Sequence, residues 1–203
     1  MRTVEFNGNA VVPNKVVCVG KNYVAHIEEM NSAIPDNMVV FMKPNASIGD
    51  TLKAELGETL HYEGEICLLI RDARVAGVGF GLDLTKRTTQ AKLKDAGLPW
   101  ERSKSFDGAA LFSQFVAAPV SLSALVLELW VDDELRQRGG VDSMLYRPND
   151  ILDEVQSFIT LDDYDIVMTG TPAGVGPIKI GEHFKGRLFD ADCELVSVDW
   201  VAI

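Results

Sequence analysis

His61-Tyr62-Glu63-Gly64-Glu65-Ile66-Cys67-Leu68-Leu69-Ile70 opens with charged and small residues and closes as an almost unbroken apolar run. An apolar run of that length, without polar alternation, reads as a β-strand covered on both faces. Side chains alternate along a strand, so Glu63 and Glu65 point to one face, roughly 6 to 7 Å apart. Two carboxylates so placed beside a core repel one another and lose hydration. They are tolerated there only if one is protonated or a cation lies between them. Gly64 leaves room between the two. The segment alone leaves two readings open, a pair of acids on an exposed strand start or a cation site.

The neighbouring sequence repeats the strand pattern. Val16 to Val19, Met38 to Phe41, Leu125 to Val131 and Ile166 to Thr169 are short runs rich in Val, Ile, Leu and Phe, each bounded by Gly, Pro, Asn or Asp. Helical spacing is confined to Tyr23–Met30, to Thr85–Ala96 before the stop at Gly97-Leu98-Pro99, and to Pro148–Phe158, where Asn149 is a candidate cap. Strands therefore dominate. With no repeat, low-complexity stretch or linker, the expectation is a single catalytic domain over residues 1–203.

Composition narrows the functional classes. A net charge of -11 with scattered Lys and Arg gives no surface for a polyanion, and the nearest basic run, Arg87 with Lys92 and Lys94, is interrupted. Neither a nucleic acid nor a membrane is an expected partner. The three cysteines, Cys18, Cys67 and Cys193, lack the spacing of a metal site or a disulfide framework and suggest reduced thiols. With no apolar run near the ~20 residues needed to cross a bilayer and no secretory leader, a cytoplasmic protein is expected.

Three further features could carry chemistry. Asp83 lies between Leu82 and Leu84 just ahead of a helical segment, where it reads either as a helix cap or as a third carboxylate for Glu63 and Glu65. His26 and Glu29 stand one helical turn apart, so the carboxylate can fix the imidazole's tautomer and raise its basicity, although such pairs are also common on exposed helix surfaces. Thr169-Gly170-Thr171-Pro172-Ala173-Gly174-Val175-Gly176 runs from a strand end into a loop able to offer backbone N–H groups and the Thr171 hydroxyl to an anion such as a carboxylate. It lacks the Lys-Ser/Thr ending of a phosphate loop.

Taken in order, Gly20-Lys21-Asn22-Tyr23-Val24-Ala25-His26-Ile27-Glu28-Glu29, Met42-Lys43-Pro44, His61 to Glu65, Asp83-Leu84-Thr85-Lys86-Arg87, Lys104-Ser105-Phe106 and Thr169 to Gly176 resemble the motifs of the fumarylacetoacetate hydrolase family, in its short branch of acylpyruvate and fumarylpyruvate hydrolases and oxaloacetate decarboxylases. The resemblance implies an α+β, β-rich fold, a mixed β-sheet roll or sandwich with few short helices. It implies that Glu63, Glu65 and Asp83 hold Mg²⁺ or Mn²⁺, with Ca²⁺ as a stand-in in crystals. An all-oxygen set suits these hard cations, and His61 is the one neighbour that would favour zinc. It also implies that His26 and Glu29 form a base on a lid hinged near Gly20 and Asn22, that Lys104 is catalytic at an oxyanion, and that Lys43, Arg87, Gln90, Gly170 and Thr171 contact substrate.

The activity so implied is metal-dependent C–C hydrolysis of an acylpyruvate such as fumarylpyruvate or acetylpyruvate. Oxaloacetate decarboxylation and hydroxydienoate isomerisation are alternatives on the same site. A non-catalytic protein that binds a metal or a 2-oxo acid is the rival outside enzymology, and a retained His26, Glu29 and Lys104 speak against it. The resemblance also implies a homodimer. Three positions depart from the family pattern: Thr88, where an Asp commonly follows the Arg, Asp132-Asp133 in place of Asn-Gly, and Asp163-Tyr164-Asp165 in place of Gly-Asp.

Overall fold

The computed structural model describes residues 1–203. A small hairpin of β1 (Val4–Phe6) and β2 (Asn9–Val11) leads into β3 (Lys15–Gly20), the short helix α1 (Val24–Glu29) and β4 (Val39–Pro44). There follow β5 (Leu60–Tyr62), β6 (Gly64–Arg71), β7 (Arg74–Asp83) and β8 (Thr85–Lys86), then helices α2 (Arg87–Asp95) and α3 (Glu101–Lys104). The remaining elements are β9 (Ala110–Phe112), β10 (Val116–Ala117), β11 (Leu125–Val131), β12 (Glu134–Gly140), α4 (Pro148–Phe158), β13 (Ile166–Met168), β14 (Gly176–Pro177), β15 (His183–Asp190) and β16 (Cys193–Val201). The architecture is β-rich and mixed, with few helices, as the sequence implies.

β6 lies in the middle of a seven-stranded sheet, paired antiparallel with β7 on one side and β13 on the other, and only its last residue is exposed. Its alternation divides the core. Ile66, Leu68 and Ile70 belong to the larger apolar cluster, which also contains Leu125, Leu127, Leu129 and Leu188 from the four-stranded sheet β12-β11-β15-β16. Cys67 and Leu69 enter a smaller cluster on the other face, with Val16, Cys18 and Met168. An unalternated apolar run is thus what a central strand between two cores requires. β13 pairs parallel with β3, which makes this sheet mixed.

Several sequence expectations change at their edges. The helix expected from Thr85 begins at Arg87, because Thr85 and Lys86 pair with Leu60 and His61 as β8. At α4 the cap is Arg147, not Asn149: Pro148 takes the first helical position, and Asp150 accepts the Arg147 backbone N–H at 3.0 Å. Asp132 and Asp133 both adopt left-handed φ, 49° and 64°, as a two-residue type I′ hairpin requires, so the pair preserves the geometry of Asn-Gly. Tyr164 is also left-handed at 72°. Beside it Asp165 is fully buried, accepting hydrogen bonds from the Asn14, Lys15 and Asp162 backbone N–H groups and pairing with the Lys15 ammonium.

Candidate metal centre and active site

The acids converge where the β6–β7 pair leaves the core. Glu63 precedes β6, Glu65 is its second residue and Asp83 ends β7. The Asp83 N–H donates to the Glu63 carbonyl at 2.8 Å, which locks the two strand ends together. One carboxylate oxygen from each lies within 4.8 Å of the other two, and the three residues are 6%, 2% and 1% exposed. Asp83 is therefore not a helix cap, and Glu63 and Glu65 do not decorate an open strand. Gly64 faces the other way, where a Cβ would come within 3.1 Å of Gln137 Oε1 and of Phe80.

Cations surround the acids. The Lys104 ammonium donates to Glu63 Oε2 at 2.8 Å, Asp83 Oδ2 at 2.7 Å and Thr85 Oγ1 at 2.6 Å. Arg87 donates through Nη2 to Glu63 Oε1 and through Nη1 to Gln90 Oε1 at 2.7 Å. Burial alone would protonate Glu63, but Lys104, Arg87 and His26 outweigh it and hold its carboxyl far below the usual range. Glu65 is the opposite case. Burial, reinforced by the Asp83 and Glu63 charges, pushes it well up, against the Gly170 N–H that donates to its Oε2 at 2.7 Å. Burial opposes the Lys104 charge, yet Asp83 and Glu63 raise its proton affinity.

This constellation fits a hard divalent cation. Three carboxylates supply only oxygen ligands. Asp83 Oδ1 lies 2.8 Å from Lys43 Nζ without hydrogen-bond alignment and is a buried acceptor with no hydrogen-bond partner. A cation among the acids would satisfy that oxygen and offset the repulsion that adds to burial in raising the proton affinity of Glu65. His61 is half-buried on β5 and stands outside the cluster. That weakens the case for zinc.

His26 is buried on α1, its Nδ1 3.3 Å from Glu29 Oε2, and it lines a cavity with all three acids, Arg87, Gln90, Lys104 and Thr171. The Gly174 N–H, from the Gly-rich loop, donates to both Glu29 oxygens at 3.0 and 3.2 Å. The cavity volume is about 40 Å³. A water needs roughly 10 to 15 Å³ on the same measure, so only a very small guest fits while α1 lies this close.

Lys43 and Gly170, both expected to contact substrate, do not line the cavity. Lys43 is fully buried behind Asp83 and donates to the Lys104 and Ala109 carbonyls, so it supports the acids from the core side and does not line the cavity. The Gly170 N–H is spent on Glu65, and the Thr171 hydroxyl donates to the Gly64 carbonyl at 2.9 Å. Thr88 is exposed and directed away from the acids, its N–H donating to Glu58 Oε2 at 2.9 Å. Its departure from the family pattern does not reach the site.

Sequence reasoning missed the supporting amides. Gln137 accepts from the Gly64 N–H at 2.8 Å and donates to Thr171 Oγ1 and the Pro172 carbonyl, both at 2.8 Å. Asn22, taken as a hinge residue, donates to the Thr169 and Tyr146 carbonyls and accepts the Tyr146 N–H, which pins the base of α1. Gln137 gave one signal, a polar residue in the strand facing β11. A bulge between Leu129 and Trp130 hides its inward direction.

Residues 15–199 match the family pattern of the fumarylacetoacetate (FAA) hydrolase C-terminal region. The chain belongs to the fumarylacetoacetate hydrolase family. Within it, an oxaloacetate tautomerase of Escherichia coli (strain K12) is 38% identical over 84% of this chain and 86% of its own. A crystal structure of an Oleispira antarctica protein superposes with a TM-score of 0.93 at 35% identity, covering 100% of both chains. A fumarylpyruvate hydrolase from Pseudomonas aeruginosa, solved with Mn²⁺ and pyruvate, gives a TM-score of 0.89 at 29% identity over 100% of this chain and 95% of its own. The family's members are enzymes of hydrolase and isomerase type, and the acidic triad here could bind a divalent metal, as that relative binds Mn²⁺.

Proposed function

We propose that this protein is a Mg²⁺- or Mn²⁺-dependent enzyme that moves protons on a small 2-oxo acid, with keto–enol tautomerisation of oxaloacetate as its reaction. One observation carries the reading: a histidine–carboxylate pair and a buried ammonium face three buried carboxylates across a cavity of only about 40 Å³. Proton transfer on a 2-oxo acid needs only such a base and such a stabiliser of negative charge, without an attacking water. The 38% identity to an oxaloacetate tautomerase supports the same choice over C–C hydrolysis.

A divalent ion held by Glu63, Glu65 and Asp83 supplies Lewis acidity toward the 2-oxo acid and stabilises negative charge on its 2-oxo oxygen. Glu29, bonded to His26 Nδ1, leaves Nε2 as the basic nitrogen. His26 takes a proton from C3 of the keto form and delivers it to the 2-oxo oxygen to give the enol, and the reverse sequence regenerates the ketone. The Lys104 ammonium lies beside the carboxylates and steadies the enolate oxygen. Arg87, oriented by Gln90 and Glu63, contributes a second fixed cation at the same end. Hydrolysis of fumarylpyruvate is the second reading, favoured by the Pseudomonas aeruginosa likeness. There the His26–Glu29 pair would act on water instead of on C3.

The test is a substrate panel with Mg²⁺ or Mn²⁺: enol absorbance and CO₂ release for oxaloacetate, and cleavage of acetylpyruvate and fumarylpyruvate. Fast decay of the enol signal without cleavage of the acylpyruvates is expected. His26→Ala should slow that decay by about 10² to 10⁴-fold, and an undiminished rate would remove His26 from the mechanism. Glu63→Ala should lose divalent-metal affinity in calorimetry, and full retention would refute the ligand assignment.

A further inference from the structure

The mouth of the same cavity holds charge that the proposed proton transfer does not use. Lys94 lies on α2 two turns beyond Arg87, and Lys21 opens the segment leading into α1 with a left-handed φ of 58°. Both line the cavity. Neither joins an ion pair, whereas Arg87 and Lys104 are matched to Glu63 and Asp83. Lys21 donates only to the Ala33 carbonyl, at 3.2 Å, and Lys94 has no hydrogen-bond partner. Partial burial, then Lys21 and Arg87, lower the proton affinity of Lys94, and Asp95 and Glu63 oppose them without reversing the shift. The tilted Phe41–Trp100 pair, 5.8 Å between centroids, adds an apolar wall to the cavity.

Charge counting gives these lysines a purpose. At the deep end the three acids are offset by Lys104, Arg87 and Lys43. A divalent ion would make that end positive, and Lys21 and Lys94 extend the positive region to the rim. A monoanionic 2-oxo acid leaves the rim unmatched. A dianion whose second carboxylate reaches outward matches it.

We propose that Lys94 and Lys21 form a subsite for the distal carboxylate of a 2-oxo dicarboxylic acid whose 2-oxo end lies at Glu63, Glu65 and Asp83. The subsite rests on the 2-oxo-acid reading above and deepens it, selecting dicarboxylates over monocarboxylic acids of equal length. Lys94 sits on the helix that also carries Arg87 and Gln90, so one rigid element presents both the deep and the rim cations to the cavity. Lys21 sits at the base of α1, so the second carboxylate also engages the segment that brings His26 into place.

Calorimetric affinities of the Mn²⁺-loaded protein for 2-oxoglutarate and for 2-oxovalerate, its monoanionic counterpart of the same chain length, test the proposal. Wild type is expected to favour 2-oxoglutarate. Lys94→Met and Lys21→Met should each weaken 2-oxoglutarate about tenfold, as loss of one charged hydrogen bond implies, with 2-oxovalerate changed less than about twofold. Lys94→Arg should restore the preference. Equal wild-type affinity for the two acids, or equal weakening of both in the variants, overturns the subsite while leaving the 2-oxo-acid reading intact. Failure of wild type to bind either acid overturns the subsite, and absence of oxaloacetate turnover in the substrate panel is what overturns the 2-oxo-acid reading. Unchanged melting temperatures of the metal-free variants separate local from global effects.

Discussion

Lys43 has no exposed surface, yet its ammonium is needed where it stands. It contacts Asp83 Oδ1 and donates to two carbonyls, so the acid is held from the core side while its other oxygen faces Lys104. Lys43→Met would leave the Asp83 charge underpaired in a dry site and should cost about 3 kcal/mol of unfolding free energy. Denaturant titration with and without Mn²⁺ checks this, and the loss should shrink when the metal is present. Spacing put Glu63 and Glu65 on one face, since they differ by two, the period of a strand, whereas the ligand set with Asp83 came from the family resemblance. The direction of Lys43 was not. A motif gives its neighbourhood, but which side of Asp83 it occupies depends on the pairing of β3 with β4, a contact distant from the acids in sequence.

Helix α2 presents Arg87 and Gln90 to the site, and its first turn is held by Glu58. That carboxylate accepts the Thr88 N–H at 2.9 Å, the Thr89 N–H at 3.2 Å and the Thr89 hydroxyl. Burial is the largest single influence and disfavours the Glu58 charge, but these bonds together outweigh it and lower its pKa below the ordinary glutamate value. A carboxylate with a depressed folded-state pKa contributes stability that is complete above its unfolded value near 4.5 and is lost as pH falls through the folded one. Glu58→Gln should therefore cost about 1 kcal/mol at pH 7 and less as acidity increases below pH ~4.5. Thermal melting from pH 7 to 3 checks both the size and the slope. Elements with a long period were readable, and Leu125–Val131 and Pro148–Phe158 match β11 and α4 at both ends. The two- and three-residue strands β5, β8 and β14 were not, since so few residues establish no period; they form through pairing with one another.

At the scale of the molecule, two cores meet at β6, and the acidic site lies where that strand emerges from between them. Metal binding at this junction should stabilise the entire fold. At a free concentration one hundred times its dissociation constant, Mg²⁺ or Mn²⁺ is expected to add about 2.7 kcal/mol, seen as a rise in melting temperature that a chelator reverses. Glu65→Ala should abolish the rise. The overall class was legible from the excess of strand-like runs, whereas the layering was not, because sheet order depends on which of many similar strands become neighbours.

Glu29 serves two partners at once, orienting His26 while accepting the Gly174 N–H across the cavity. α1 therefore carries the base as a ready-made pair, and the Gly174 contact fixes how close that pair stands to the acids. An acid small enough to let α1 settle is turned over. A bulkier acid that reaches the same carboxylate cluster but props α1 away meets a base held out of reach, and it occupies the enzyme as a competitive inhibitor.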